Sequence, residues 1–175
     1  MFYDSRQDVY SRVQLSGNGV HVSFRAPSYM ANNTLLADWS PDQTCIPFGQ
    51  IEDLKFEGAS PTPTSAPIYV FALKSLRVLR VAQWDEEFAK ANFCSLHPDP
   101  GAAEVPCRFL QEIEYTYWES QLPGLLVSLV RERKRAGYQL RLVSLMTGHD
   151  GSHPDLLEMK EHVGEVRTRE WNERV

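Results

Sequence analysis

One short pattern constrains this chain more than any other feature. Ile51-Glu52-Asp53-Leu54-Lys55-Phe56 reads apolar-x-x-apolar-x-apolar, and the same frame returns at Leu76–Val81, Leu110–Tyr115, Leu140–Leu145 and Val163–Thr168. The intervals are 25, 34, 30 and 23 residues, and Thr168 is the weakest match. In x-L-x-L the two apolar side chains point to one face of a strand and the x positions to the other. The leading apolar residue, three positions earlier, fills the turn into the strand. One such unit cannot bury its own apolar face, whereas units stacked side by side make a parallel sheet with a continuous core. The pattern therefore predicts an α/β fold: a short, irregular, leucine-rich-repeat-like solenoid with a mainly parallel sheet.

The segments between the strands must return the chain and cover the core. Leu122, Leu125, Leu126, Leu129 and Val130 form one apolar stripe at helical spacing, which predicts a helix over 122–136. Ser120 suits its N-cap, Pro123 its first turn and Gly137 its stop, and Arg131, Arg133, Lys134 and Arg135 complement the dipole at its C-terminal end. A second helix is predicted over 154–162, capped by Ser152, begun by Pro154, with Leu156, Leu157 and His162 inward. Shorter helices are expected near 68–73 and 84–91, the latter carrying Trp84 and Phe88 on one side. Two stretches read as loop insertions: the Pro/Thr/Ser run 59–67 and the segment 97–106.

Ahead of the repeats, Arg12–Leu15 and Val20–Phe24 alternate on either side of Ser16-Gly17-Asn18-Gly19, and Asn-Gly supplies the positive φ angles of a tight turn. This predicts an N-terminal β-hairpin. Residues 25–50 hold Pro27, Pro41 and Pro47 beside Leu35, Leu36 and Trp39, and read as a short helix or turn and a loop. The expected organisation is one domain: hairpin and irregular cap over 1–50, repeat-like units over 51–170, and a tail over 171–175.

Three stretches stand out: Leu126-Val127-Ser128-Leu129-Val130-Arg131-Glu132-Arg133-Lys134-Arg135-Ala136-Gly137, then Pro154-Asp155-Leu156-Leu157-Glu158-Met159-Lys160-Glu161-His162-Val163-Gly164-Glu165-Val166, and the earlier Phe48–Leu54. In these the chain resembles the C-terminal repeat region of F-box proteins from mushroom-forming fungi. The resemblance implies a substrate-recruiting repeat domain within a ubiquitin-ligase receptor. No F-box motif is legible, so recruitment of a Skp-type adaptor is expected only if an F-box lies upstream. The chain otherwise reads as a stand-alone interaction module, or as a truncated fragment without independent function.

Composition narrows the partner. A net charge of -5 and a pI near 5.5 disfavour nucleic acid. No apolar run approaches membrane-spanning length and no signal-peptide core opens the chain. Cys45, Cys94 and Cys107 are too few and too scattered for a disulfide framework. A reduced cytoplasmic or nuclear setting is expected. Cys94-x-x-His97 lacks a second ligand pair for structural zinc, and neither metal nor cofactor is expected.

The expected partner-binding surface is the concave face of the sheet, made by the residues between the core positions. These are Lys55, Arg80, Glu112, Glu114, Thr116, Ser144 and Arg167, with Tyr117 and Trp118 as candidate recognition aromatics just past the third strand. The line Lys55, Arg80, Glu114, Ser144, Arg167 mixes charge signs, which suits a protein partner. There is no nucleophile elbow, phosphate loop or dinucleotide fingerprint. The competing enzymatic reading is a small metal-dependent or hydrolytic site using His149, Asp150 and His153, against which stands a plain glycine-rich turn ahead of a helix.

Overall fold

The computed structural model describes residues 10–17, 20–27, 48–57, 73–82, 86–99, 101, 104–116, 124–146 and 153–169. Among the described residues, seven strands form a single sheet. They are β1 (Tyr10–Gly17), β2 (Val20–Pro27), β3 (Asp53–Glu57), β4 (Val78–Ala82), β5 (Glu112–Thr116), β6 (Leu142–Met146) and β7 (Glu165–Arg169), in spatial order β2-β1-β3-β4-β5-β6-β7. Strands β3 to β7 run parallel, each beside its successor, while β1 pairs antiparallel with both β2 and β3. The fold is α/β with a mixed, mostly parallel sheet.

The in-frame sequence pattern becomes an in-register sheet. Leu54, Leu79, Ile113, Val143 and Val166 are successive ladder partners, and so are Phe56, Val81, Tyr115, Leu145 and Thr168. In β3 to β6 these positions are fully buried; in β7 Val166 is half-buried and Thr168 exposed. The leading residues Ile51, Leu76, Leu110, Leu140 and Val163 are all buried in the turns before the strands.

The turns repeat as well. The Ile51, Leu76 and Leu110 N–H groups donate to the carbonyls of Phe48 (3.2 Å), Leu73 (3.2 Å) and Cys107 (2.8 Å), three residues back, and all three acceptor residues are buried. The unit is therefore longer than the hexamer, with a further buried position at its start. Units are then joined through shared carbonyls. That of Glu52 accepts from the N–H groups of Arg77 (2.8 Å) and Val78 (3.0 Å), that of Arg77 from Gln111 (2.8 Å) and Glu112 (3.0 Å), and that of Gln111 from Arg141 (2.8 Å) and Leu142 (3.1 Å). At the last junction Gly164 replaces this with a bond to the Leu140 carbonyl (3.0 Å). A Cβ on Gly164 would lie 2.8 Å from the Arg141 carbonyl oxygen, so the backbone approach there requires glycine.

Three α-helices among the described residues cover one face of the sheet: α1 (Glu86–Ser95), α2 (Gly124–Arg135) and α3 (Pro154–His162). They supply Phe93, Leu126, Leu129, Leu156 and Met159 to the core, and the Phe93 ring meets Tyr115 edge-to-face at 5.3 Å. Of the expected stripe, Leu126, Leu129 and Val130 are buried in α2 and Leu125 is half-buried, while Leu122 and Pro123 lie outside the described residues; the helix stops at Gly137, which has φ +83°. Tyr138 N–H donates to the Arg133 carbonyl (2.8 Å) and Gly137 N–H to that of Lys134 (3.0 Å), the paired bonds of a left-handed helix stop.

Several expectations are corrected. Helix α1 runs on to Ser95, and its buried residues Asn92 and Phe93, with Leu96, lie beyond the expected end at 91. In α3 it is Leu156 and Met159 that face inward, three residues apart, while Leu157 is 51% exposed because one residue turns a helix by about 100°. The acceptor that caps α3 is His153 Nδ1, which receives the Asp155 N–H at 3.3 Å. The hairpin forms with longer strands than expected, and its register, ending at Gly17 opposite Val20, leaves Asn18 and Gly19 as the linking pair. Ser120, Ser152, the 59–67 run, the 68–73 helix and the Leu35–Trp39 cluster lie outside the described residues.

Candidate functional site

Among the described residues no helix covers the opposite face of the sheet, and the alternation of side chains along each strand determines what it presents. Its central row follows the ladder: Ser23 and Gln14 on the hairpin, then Lys55, Arg80, Glu114, Ser144 and Arg167. The five residues expected from sequence to form a line are thus successive neighbours across five strands. A second row, toward the strand starts, holds Asp53, Val78, Glu112, Leu142 and Glu165; a third holds Glu57, Ala82, Thr116, Met146 and Arg169.

Most charges on this face are matched in place. Arg80 bridges the sheet, its guanidinium bonded to Asp53 on β3 and 3.3 Å from Glu114 on β5. Burial acts to lower the Arg80 pKa, but the hydrogen bond and charge of Asp53, with Glu114 and Glu112, outweigh it and the pKa is raised. Arg141, at the entrance to β6, pairs with Glu112. Lys55 pairs with Glu57 at 2.8 Å, and Arg167 grips both Glu165 oxygens at 2.6 and 2.9 Å. That fork holds the Glu165 carboxyl below its usual range. Each pair is weak alone in water; the Arg80 and Arg141 pairs link neighbouring strands, while the Lys55 and Arg167 pairs lie within one strand.

Two positions on this face offer less surface than expected. Thr116 is 7% exposed and Leu142 8% exposed. Thr116 is short and lies between Ala82 and Met146, and Leu142 lies between Glu112 and Glu165, so neighbouring strands cover both. Tyr117, Trp118, His149 and Asp150 lie outside the described residues. His153, the remaining member of the expected acid/base group, is occupied as the helix cap. Among the described residues no cluster of three or more His, Cys, Asp or Glu side chains could hold a metal ion. None of the described helices is long and apolar enough to cross a membrane.

The basic run 131–135 is not a free cationic patch. Arg131 reaches Glu158 on α3 at 2.8 Å, Lys134 donates to the Glu161 carbonyl at 2.6 Å, and Arg135 pairs with Glu132 at 2.7 Å. Arg133 is fully buried. Its guanidinium donates to the carbonyls of Pro106 (3.0 Å), Cys107 (3.0 Å) and Leu96 (3.3 Å). Burial pulls its pKa down and pushes the Cys107 thiol up to about 12. Cys107 has φ +44°, a left-handed conformation costly for a residue with a Cβ, and the clamp on its carbonyl helps hold it there.

Comparison with family models, curated proteins and solved structures finds no match for this chain.

Proposed function

We propose that this chain is a non-enzymatic protein-interaction domain built of irregular leucine-rich-repeat-like units, and that the open sheet face is its partner-binding surface. The single observation that carries the reading is the row Lys55, Arg80, Glu114, Ser144, Arg167, in register across five parallel strands, opposite a face closed by helices. The repeated turn and the shared-carbonyl junctions support the repeat-like reading, because they recur at the same place in unit after unit despite unequal spacing. Repeat arrays commonly bind on such an extended sheet surface. A pre-paired, mixed-charge face favours a protein with complementary charges over nucleic acid. With the sequence resemblance, the role becomes recruitment of a substrate protein in the manner of an F-box receptor. A Skp-type adaptor would join only through an F-box upstream of these residues, in a cytoplasmic or nuclear setting.

The test is an affinity capture comparing wild type, Arg80→Glu/Glu114→Arg and a control, Arg135→Glu, on the helical side. The double exchange keeps net charge constant but reverses the centre of the row. Partners retained by wild type and by Arg135→Glu should be lost from the double variant. An identical partner set for all three would remove the assignment.

A further inference from the structure

A cleft of about 230 Å³ opens beside the turns that lead into β4, β5 and β6, and Lys74, Glu104, Arg108 and Tyr138 line it. Three of these residues hold the same place in successive units. Lys74, Arg108 and Tyr138 each lie four residues before the first residue of a strand, and those first residues, Val78, Glu112 and Leu142, are ladder partners. The turns carrying Lys74 and Arg108 also share one hydrogen-bond pattern. The strands that follow are one strand spacing apart, ~4.8 Å, so the two cationic residues stand on neighbouring turns of the same cleft.

Lys55, Arg77, Arg80, Arg131, Arg135, Arg141 and Arg167 all have carboxylate partners, while Lys134 bonds a backbone carbonyl. Among the described residues, Lys74 and Arg108 have no carboxylate partner, as is also true of Arg169 at the far edge of the sheet, but these two share one cleft, and Glu104, which also lines it, pairs with neither. The Arg108 guanidinium lies 4.7 Å from the centroid of the exposed Phe109 ring, which orients the planar fork without using its donors. The wall behind is held by the Arg133 clamp on the Pro106 and Cys107 carbonyls.

We propose that this cleft binds a phosphate-monoester group. Arg108 grips two oxygens through its fork, Lys74 supplies the second positive charge, and the Tyr138 hydroxyl donates to the third oxygen. The volume is below the ~300–1,000 Å³ of drug-sized sites, so the cleft takes the phosphate and a few attached atoms rather than a whole nucleotide cofactor. The site is separate from the open sheet face and does not depend on how that face is used. The phosphate can come from a free small ester or from a phosphorylated side chain of a protein.

The test is calorimetric titration of the full chain with inorganic phosphate and with a short phosphoserine peptide, at ionic strength matched with sodium chloride. Wild type should show saturable binding to both. Lys74→Ala/Arg108→Ala should lose it by at least about tenfold, and Arg108→Lys, which keeps charge but not the fork, should weaken it several-fold. A peptide that binds more tightly than inorganic phosphate identifies a protein side chain as the source; equal affinities identify a free ester. No saturable binding to either probe by wild type overturns the proposal. So does binding that the double variant, shown to be folded by circular dichroism, retains unchanged.

Discussion

Replacing Arg133 by methionine separates two opposed effects at one buried position. The guanidinium makes three hydrogen bonds to carbonyls, at 3.0, 3.0 and 3.3 Å, and the side chain is fully buried. Hydrogen bonds from a charged donor contribute about 1.5–3 kcal/mol each after exchange with water, so the set contributes roughly 5–9 kcal/mol. Against this stands the residual cost of holding a cation in the interior with its Nε unpartnered, the same burial that lowers its pKa. Methionine keeps much of the volume and removes that cost but leaves the Leu96 and Pro106 carbonyls without a donor, while the Cys107 carbonyl keeps the Leu110 N–H. The expected net loss is about 3 kcal/mol, and somewhat more for Arg133→Ala, which adds a cavity. For a chain of this size that corresponds to a fall in melting temperature of roughly 6–12 °C. Urea denaturation followed by circular dichroism measures it directly. An Arg133→Met variant as stable as wild type, or more stable, would refute the reasoning: the carbonyl bonds would then only offset the cost of burying the charge.

Three further outcomes follow from the same geometry. Val143 and Val166 are partners in one ladder, but only Val143 is fully buried; Val143→Ala should cost about 2 kcal/mol and Val166→Ala less than about 1 kcal/mol by chemical denaturation. Cys94 is exposed and Cys107 buried, so a maleimide reagent at neutral pH should modify Cys94 in the native chain and reach Cys107 only on unfolding, as read by peptide mass mapping. Because the folded Cys107 pKa is raised from 9.0 to about 12, the unfolded chain binds fewer protons between those values. Stability should therefore fall as pH rises from about 9 toward 12. Cys107→Ala should flatten that slope; an unchanged slope would show that the thiol does not titrate across folding.

Much of the sheet was legible because one physical rule governs every unit. Apolar residues at fixed offsets identified the buried rows, and the same offsets placed Lys55, Arg80, Glu114, Ser144 and Arg167 together on the other face. Legibility stopped where neighbours, rather than period, decide burial. Thr116 and Leu142 have the offsets of exposed positions yet are covered by adjoining strands. Arg133 was readable in principle: it lies four residues after Leu129 and seven after Leu126, on the apolar stripe itself, but a basic helix end gave a simpler reason for its charge. Asn92 hid the end of α1 in the same way, as a polar residue at a core position. The row Lys74, Arg108, Tyr138 follows from counting four residues back from each strand, but nothing marks those turns as equivalent until their hydrogen bonds are seen.

The central claim is that a protein partner docks on the open sheet face. Ser144 lies in the central row, between Glu114 and Arg167, on a short side chain that makes it a natural attachment point. In a chain with Cys45 and Cys94 replaced by serine, Ser144→Cys can be labelled with a bulky polyethylene-glycol maleimide and compared with the same label on Leu157→Cys, 51% exposed on the helical side. The decisive measurement is capture of the wild-type partner by each labelled protein. Loss with the label at 144 and retention with the label at 157 is the expected result; full retention with the label at 144 would contradict the account.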